Sequence, residues 1–153
     1  MAYTSVTTEK FQLERYYGIW HQIGSVRPWY EPQPSSVTMT CQPAKDGTLE
    51  VQLRMRLGPC PIAAKGNIRL VKVGEFVLHF PRLILGLDLN KTFYVKYVLA
   101  DSEGNYQLVV LEKFGPQTLH VLARTAIPPS ALLAEIPAIL STLNYQWDRY
   151  KGN

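Results

Sequence analysis

The sequence predicts an all-β chain, an eight-stranded antiparallel up-and-down β-barrel with one α-helix packed outside it near the C terminus. Three observations carry that expectation. Short runs of apolar–polar alternation recur at regular spacing from Tyr17 to Arg124. Hairpin-type turns join nearly all of them, which favours antiparallel neighbours over crossover connections. Helical spacing begins only after Pro128-Pro129. A sheet of this kind removes its exposed edges by closing, and eight strands enclose room for one small ligand.

Residues 1–15 are polar and read as a loosely held arm, with Phe11 and Leu13 tucked under one barrel end. The first strand runs over 17–26. Trp20 is too large and apolar to leave in water and is expected to plug one end, with Gly18 turning the backbone into the strand. Three prolines within residues 28–34 forbid a helix and predict an open loop that carries Trp29 and Tyr30 at a binding rim. Alternation over 37–42 puts Val37, Met39 and Cys41 on one face, and Asp46-Gly47 signals a hairpin turn. Residues 49–57 alternate without a fault, so Leu53 and Met55 point inward and Arg54 and Arg56 into water.

Strands over 65–73 and 76–80 flank the turn at Val73-Gly-Glu75. The apolar segment 81–90, broken by Gly86, reads either as a buried connection or as a loop at the barrel mouth that touches ligand or membrane. Residues 92–100 form a strand apolar on both faces, followed by strands over 106–113 and 118–124. Ser130 is placed to cap a helix over 130–143 whose stripe includes Leu132, Ile136, Ile139 and Leu140. Pro137 is expected to kink that helix or split off its first turn, Asn144 to end it, and 145–150 to form a closing strand or tail.

A chain of 153 residues fits one domain spanning 1–153, and 46% hydrophobic with 18% charged residues is a globular composition. The net charge of +4 is spread along the chain without a basic run, so no nucleic-acid partner is expected. No stretch is long and apolar enough for a membrane-spanning helix. The first ten residues have no apolar leader segment; a complete chain is then expected in the cytoplasm, and a removed leader would make it secreted or periplasmic. With a two-residue turn at Asp46-Gly47, Cys41 lies opposite Gln52, so a bridge from Cys41 to Cys60 is not expected. Three scattered histidines are too few for a metal cluster, and no hydrolase, phosphate-loop or paired-carboxylate motif is present, so neither metal nor cofactor is expected.

Three separated blocks occur in order: Gly18-Ile-Trp20 on the first strand, Asp101-Ser-Glu-Gly-Asn-Tyr106 at the turn between the sixth and seventh, and Arg124 ending the eighth. Together with the opening Phe11-x-Leu-x-Arg-Tyr-x-Gly-x-Trp, these resemble the lipocalin family over most of the chain, nearest the bacterial outer-membrane lipocalin, plant lipocalin and apolipoprotein D group. Departures are His21 where the family usually has Tyr, a longer Asp–Tyr turn, and no lipid-attachment cysteine near the start. The resemblance implies that Gly18, Trp20, Asp101, Tyr106 and Arg124 are structural, with Arg124 against Trp20 at the closed end. It also implies an apolar or amphipathic guest such as a fatty acid, terpenoid or pigment.

Strand parity assigns Met39, Leu53, Met55, Phe80, Tyr97, Leu108 and His120 to the cavity wall. Barrel polarity puts Trp29, Tyr30 and 81–90 at the mouth, because the first strand climbs away from the Trp20 plug. Lys96 is expected to point outward, since a buried ammonium is costly without a partner. The leading expectation is a carrier of a small hydrophobic ligand, monomeric or weakly dimeric, with peripheral membrane contact through 81–90. The alternative is a barrel enzyme that isomerises or cyclises a flexible polyene or polyketide-like substrate by holding it in a reactive shape.

Overall fold

The computed structural model describes residues 3–27, 34–84, 87–113 and 118–152, with the backbone alone for 81–84 and 87–90. Trp29 and Tyr30 lie outside the described residues. Eight strands follow the predicted order: β2 (Gly18–Val26), β3 (Ser35–Pro43), β4 (Leu49–Leu57), β5 (Cys60–Lys72), β6 (Glu75–Ile84), β7 (Leu87–Ala100), β8 (Tyr106–Lys113) and β9 (Thr118–Ala123). Each pairs antiparallel with the next, and β9 returns to pair with β2, so the sheet closes into the predicted barrel.

Two short strands are added to those eight. β1 (Thr4–Val6) pairs with β7 through Thr4↔Ala100 and Val6↔Val98, beyond Tyr94 where the ladder with β6 stops. The arm is therefore tied down rather than loose: it satisfies backbone groups of β7 that would otherwise lack partners. Phe11, after the 3-10 turn Thr8–Lys10, is 7% exposed. β10 (Tyr150–Gly152) pairs with the far half of β2.

The segment 81–90 is not a free loop. Its backbone continues as strand to Ile84 and from Leu87, with Ile84↔Leu87 paired across residues 85–86, which are outside the described set. The ladder is irregular between Phe80 and Ile84, the stretch that holds Pro81, which has no N–H to donate. The first hairpin is also longer than expected. Pro43 pairs with Leu49, leaving a five-residue connection over 44–48 in which Asp46 accepts from Thr48 N at 3.1 Å and Thr48 Oγ1 at 2.6 Å. Cys41 therefore faces Val51, not Gln52.

The C-terminal helix is split, as Pro137 foretold, into α1 (Ser130–Leu133) and α2 (Ile136–Thr142). Pro137 sits in the first turn of α2, where its missing N–H leaves no intrahelical bond unmade. Ser130 does not cap: Pro129 occupies that place and no side chain bonds the terminus. Asn144, at φ +64°, ends the segment in the left-handed conformation.

Two apolar clusters result. One lies inside the barrel around Trp20, Tyr16, Phe76, Phe80, Phe93 and Leu111. The other packs Leu132, Ile136, Ile139 and Leu140 against the outer face of the sheet at Leu99, Leu108, Val110 and Val121. This second cluster explains why 92–100 reads as apolar on both faces: one side meets the barrel interior and the other the helix.

Candidate functional site

The barrel interior has a sealed end and a cavity. At the sealed end Trp20 is fully buried, its indole N–H donating to Tyr16 O at 2.8 Å and its ring stacking on Tyr16 at 5.2 Å between centroids. The Arg124 guanidinium lies 3.8 Å from the Trp20 ring centroid, a cation–π contact, and donates to three backbone carbonyls: Tyr106 O at 3.1 Å, Ile19 O at 3.1 Å and Arg15 O at 2.8 Å. Gly18, at φ +107°, has no Cβ to obstruct this; a Cβ there would stand 3.1 Å from Arg124 Nη1.

The Asp101 turn belongs to the same end. Asp101 Oδ1 accepts from Glu103 N at 3.0 Å and Asn105 N at 2.9 Å, and Arg15 Nη1 donates to Gly104 O at 2.9 Å. Tyr106 stacks on Phe11, and its hydroxyl accepts from Gln12 N at 2.9 Å. Arg124 thus ties Arg15 of the arm, Ile19 of the first strand and Tyr106 of β8 together, while the Asp101 bonds shape the turn that receives Arg15. Burial raises the Tyr16 phenol well above its ordinary range, with the Cys41 thiol adding and Arg124 opposing. Burial likewise lifts the Cys41 thiol to about 12, while Cys60 is exposed and neither forms a disulfide.

Beyond this plug lies a cavity of about 240 Å³. Met39, Leu53, Met55, Phe80 and His120 line it, as strand parity assigned them. Phe80 reaches its place because Gly66 on the neighbouring strand is bare; a Cβ at Gly66 would stand 2.6 Å from Phe80 Cδ1. Tyr97 and Leu108 do not line the cavity and are corrected to the outer cluster beneath the helix. The cause for Tyr97 is a bulge: Val95 pairs with Leu111 but Tyr97 with Val110, which shifts parity by one, so that Val95 and Val98 share the interior. For Leu108, both faces of β8 are apolar, and Val109 and Leu111 take the inward one.

Sequence reasoning missed Gln22, Val37, Phe76, Leu78, Lys91, Phe93, Leu111, Lys113 and Leu122 as lining residues. Gln22 was legible, two residues beyond Trp20 on the same strand face. Lys113 shares the inward parity of Leu111, and Lys91 that of Phe93, to which Lys113 pairs. Lys96 points outward as expected, 3.7 Å from Glu112 Oε1 and 40% exposed.

The cavity's polar feature is a pair. His120 Nδ1 lies 2.8 Å from Gln22 Oε1, and the ring tilts against Phe93 at 5.9 Å. Burial above all, then the positive charges of Arg27 and Lys113, push His120 down to about 3, so the ring is neutral at ordinary pH. Among the described residues no group of three His, Cys, Asp or Glu is arranged to hold a metal ion.

Comparison with known proteins agrees with this geometry. No curated protein matches the chain by sequence. Among solved structures, insecticyanin from the tobacco hornworm Manduca sexta superposes with a TM-score of 0.74 at 13% identity, covering 95% of this chain and 81% of that one. The cockroach allergen Per a 4 gives 0.71 at 10% identity, covering 96% and 90%. Lobster apocrustacyanin A1 gives 0.67 at 12% identity, covering 92% and 77%. At such identities the likeness concerns the fold. The family model of the lipocalin-like domain matches residues 11–151, from the buried Phe11 through the helix to β10, and by that match the chain belongs to the lipocalin family.

Proposed function

We propose that the protein binds and carries a small apolar or amphipathic molecule in the barrel cavity. One observation carries this reading: of the 14 side chains lining the cavity, ten are apolar and four are Gln22, Lys91, Lys113 and His120. Removing an apolar guest from water into such a space is favourable by roughly 25 cal/mol per Å² before ordering costs, and a few polar wall groups suffice to orient it. The sealed end supports the reading, because Trp20 and Arg124 stabilise the shell without drawing on the cavity walls.

The test is native mass spectrometry of protein purified without detergent, followed by displacement of an apolar fluorescent probe from the stripped protein. A co-purified apolar molecule, or probe binding that Leu53→Trp abolishes by filling the space, is the expected result. Failure of fatty-acid, retinoid and polyene probes alike to bind would end the carrier reading. Recovery of a chemically altered guest would move it to a barrel isomerase or cyclase.

A further inference from the structure

Gln22 on β2 and His120 on β9 meet beside an irregularity of their ladder. Gln22 pairs with Leu122 and Gly24 with Val121, so β2 carries an extra residue at Ile23. The bond between the two side chains uses one atom of each, His120 Nδ1 and Gln22 Oε1. Gln22 is only 7% exposed, yet its Nε2 has no hydrogen-bond partner among the described residues. A buried donor left unmade is costly, so a site that keeps one calls for a ligand group to meet it.

The chemistry of what is left over is fixed by the bond already made. With Gln22 Oε1 accepting, Nδ1 holds the proton of the neutral ring, and Nε2 keeps a lone pair. Turning the amide over reverses both roles together: Gln22 nitrogen then donates to Nδ1, the ring proton sits on Nε2, and the Gln22 oxygen is left as acceptor. Either way the pair offers at least one donor and at least one acceptor beyond its internal bond.

We propose that the Gln22–His120 pair is the recognition element of the cavity and selects an apolar guest bearing a hydroxyl group. This rests on the carrier reading and names the class of guest. A hydroxyl both accepts and donates, so it satisfies both leftover groups. An ether has no donor. A carboxylate only accepts, so in either orientation it leaves the pair's own acceptor, ring nitrogen or Gln22 oxygen, unmet. Lys91 and Lys113, which also line the cavity, and Arg27 nearby would instead favour a carboxylate by charge, so the two chemistries are separable by experiment.

The test compares decanol, methyl decyl ether and decanoate as competitors for a fluorescent apolar probe. Decanol is expected to bind about tenfold more tightly than the ether, the difference that one hydrogen bond of ordinary net strength makes. Gln22→Leu should bring the two within about twofold while the ether's own affinity is retained. On the unaltered protein, nitrogen NMR of the His120 ring should shift with decanol and not with the ether, a readout independent of whether the variant folds. Equal affinity for alcohol and ether overturns the subsite while leaving the carrier reading intact. Decanoate binding more tightly than decanol, with the excess removed by Lys91→Met, also overturns it, by assigning recognition to the lysines. Failure of all three to compete overturns the carrier reading itself.

Discussion

At the sealed end of the barrel, Trp20 has no exposed surface, its ring contacts both the Tyr16 ring and the Arg124 guanidinium, and the three nitrogens of that arginine each donate to a backbone carbonyl. At the cavity, Met39, Leu53 and Met55 are each only partly buried and face space on one side. The same eight strands run through both ends. What differs is how completely each side chain's contacts are used. The sealed end spends its contacts on holding three chain segments together, and the cavity leaves its contacts for a guest. Stability and binding are thereby assigned to different residues of one sheet.

The largest effect should come from Trp20→Ala. Truncating a fully buried indole costs about 3–5 kcal/mol, and here it also removes the surface beneath the Arg124 guanidinium. Urea denaturation should show a loss of that size. A change below about 1 kcal/mol would mean that the sealed end is not the anchor of the fold, and the contrast between the two ends would fail.

Leu108 sharpens the comparison from outside. It is fully buried against the helix and makes no part of the cavity. Leu108→Ala should cost about 2–5 kcal/mol in urea denaturation and leave probe affinity within about twofold. Met55→Ala should do the reverse: no more than about 1 kcal/mol of stability, because its side chain already forfeits contacts on the cavity side, with a several-fold change in probe affinity. Probe binding lost in Leu108→Ala at a temperature where the protein remains folded would show that the helix-covered face and the cavity are coupled.

How much of this was legible in the sequence follows the same division. The sealed end was readable because its residues are chemically singular: a tryptophan after a glycine, an arginine about a hundred positions later, an aspartate opening a turn. Strand order was readable because alternation over 49–57 and the turn signals survive without reference to neighbours. The wall was only partly readable, because parity propagates along a strand until a bulge resets it. The bulge between Val95 and Tyr97 carries no residue signature, so Tyr97 was assigned to the wrong face. Leu108 failed for a different reason, since the helical segment that begins at Ser130 covers the outer face and erases the polar alternation that would have marked it. The 81–90 stretch read as a buried connection or a loop at the mouth because Gly86 breaks its apolar run, but β6 and β7 pair again at Ile84↔Leu87.

The last expected effect is on pH dependence, and it belongs to the cavity end alone. Arg124 keeps its charge at any working pH, so the sealed end should not respond to mild acid. His120 differs. Burial and the neighbouring charges of Arg27 and Lys113 hold its folded value at about 3, against 6.5 for an ordinary histidine. Between those two values the unfolded chain binds a proton that the folded chain does not, so stability rises with pH across that window. The contribution is fully present above 6.5 and is lost progressively as pH falls towards about 3. Carboxylates such as Asp46, whose value is lowered mainly by the Thr48 hydroxyl, act at the acid end, so the interval from about pH 6.5 down to about pH 5 belongs to His120. The urea midpoint of the unaltered protein should therefore fall between about pH 7 and about pH 5, and His120→Phe should remove part of that fall while leaving the more acid limb in place. An identical slope in both proteins would mean that water reaches the ring freely. The cavity would then be wet rather than apolar, and the difference between the two ends of the barrel would lie in packing alone.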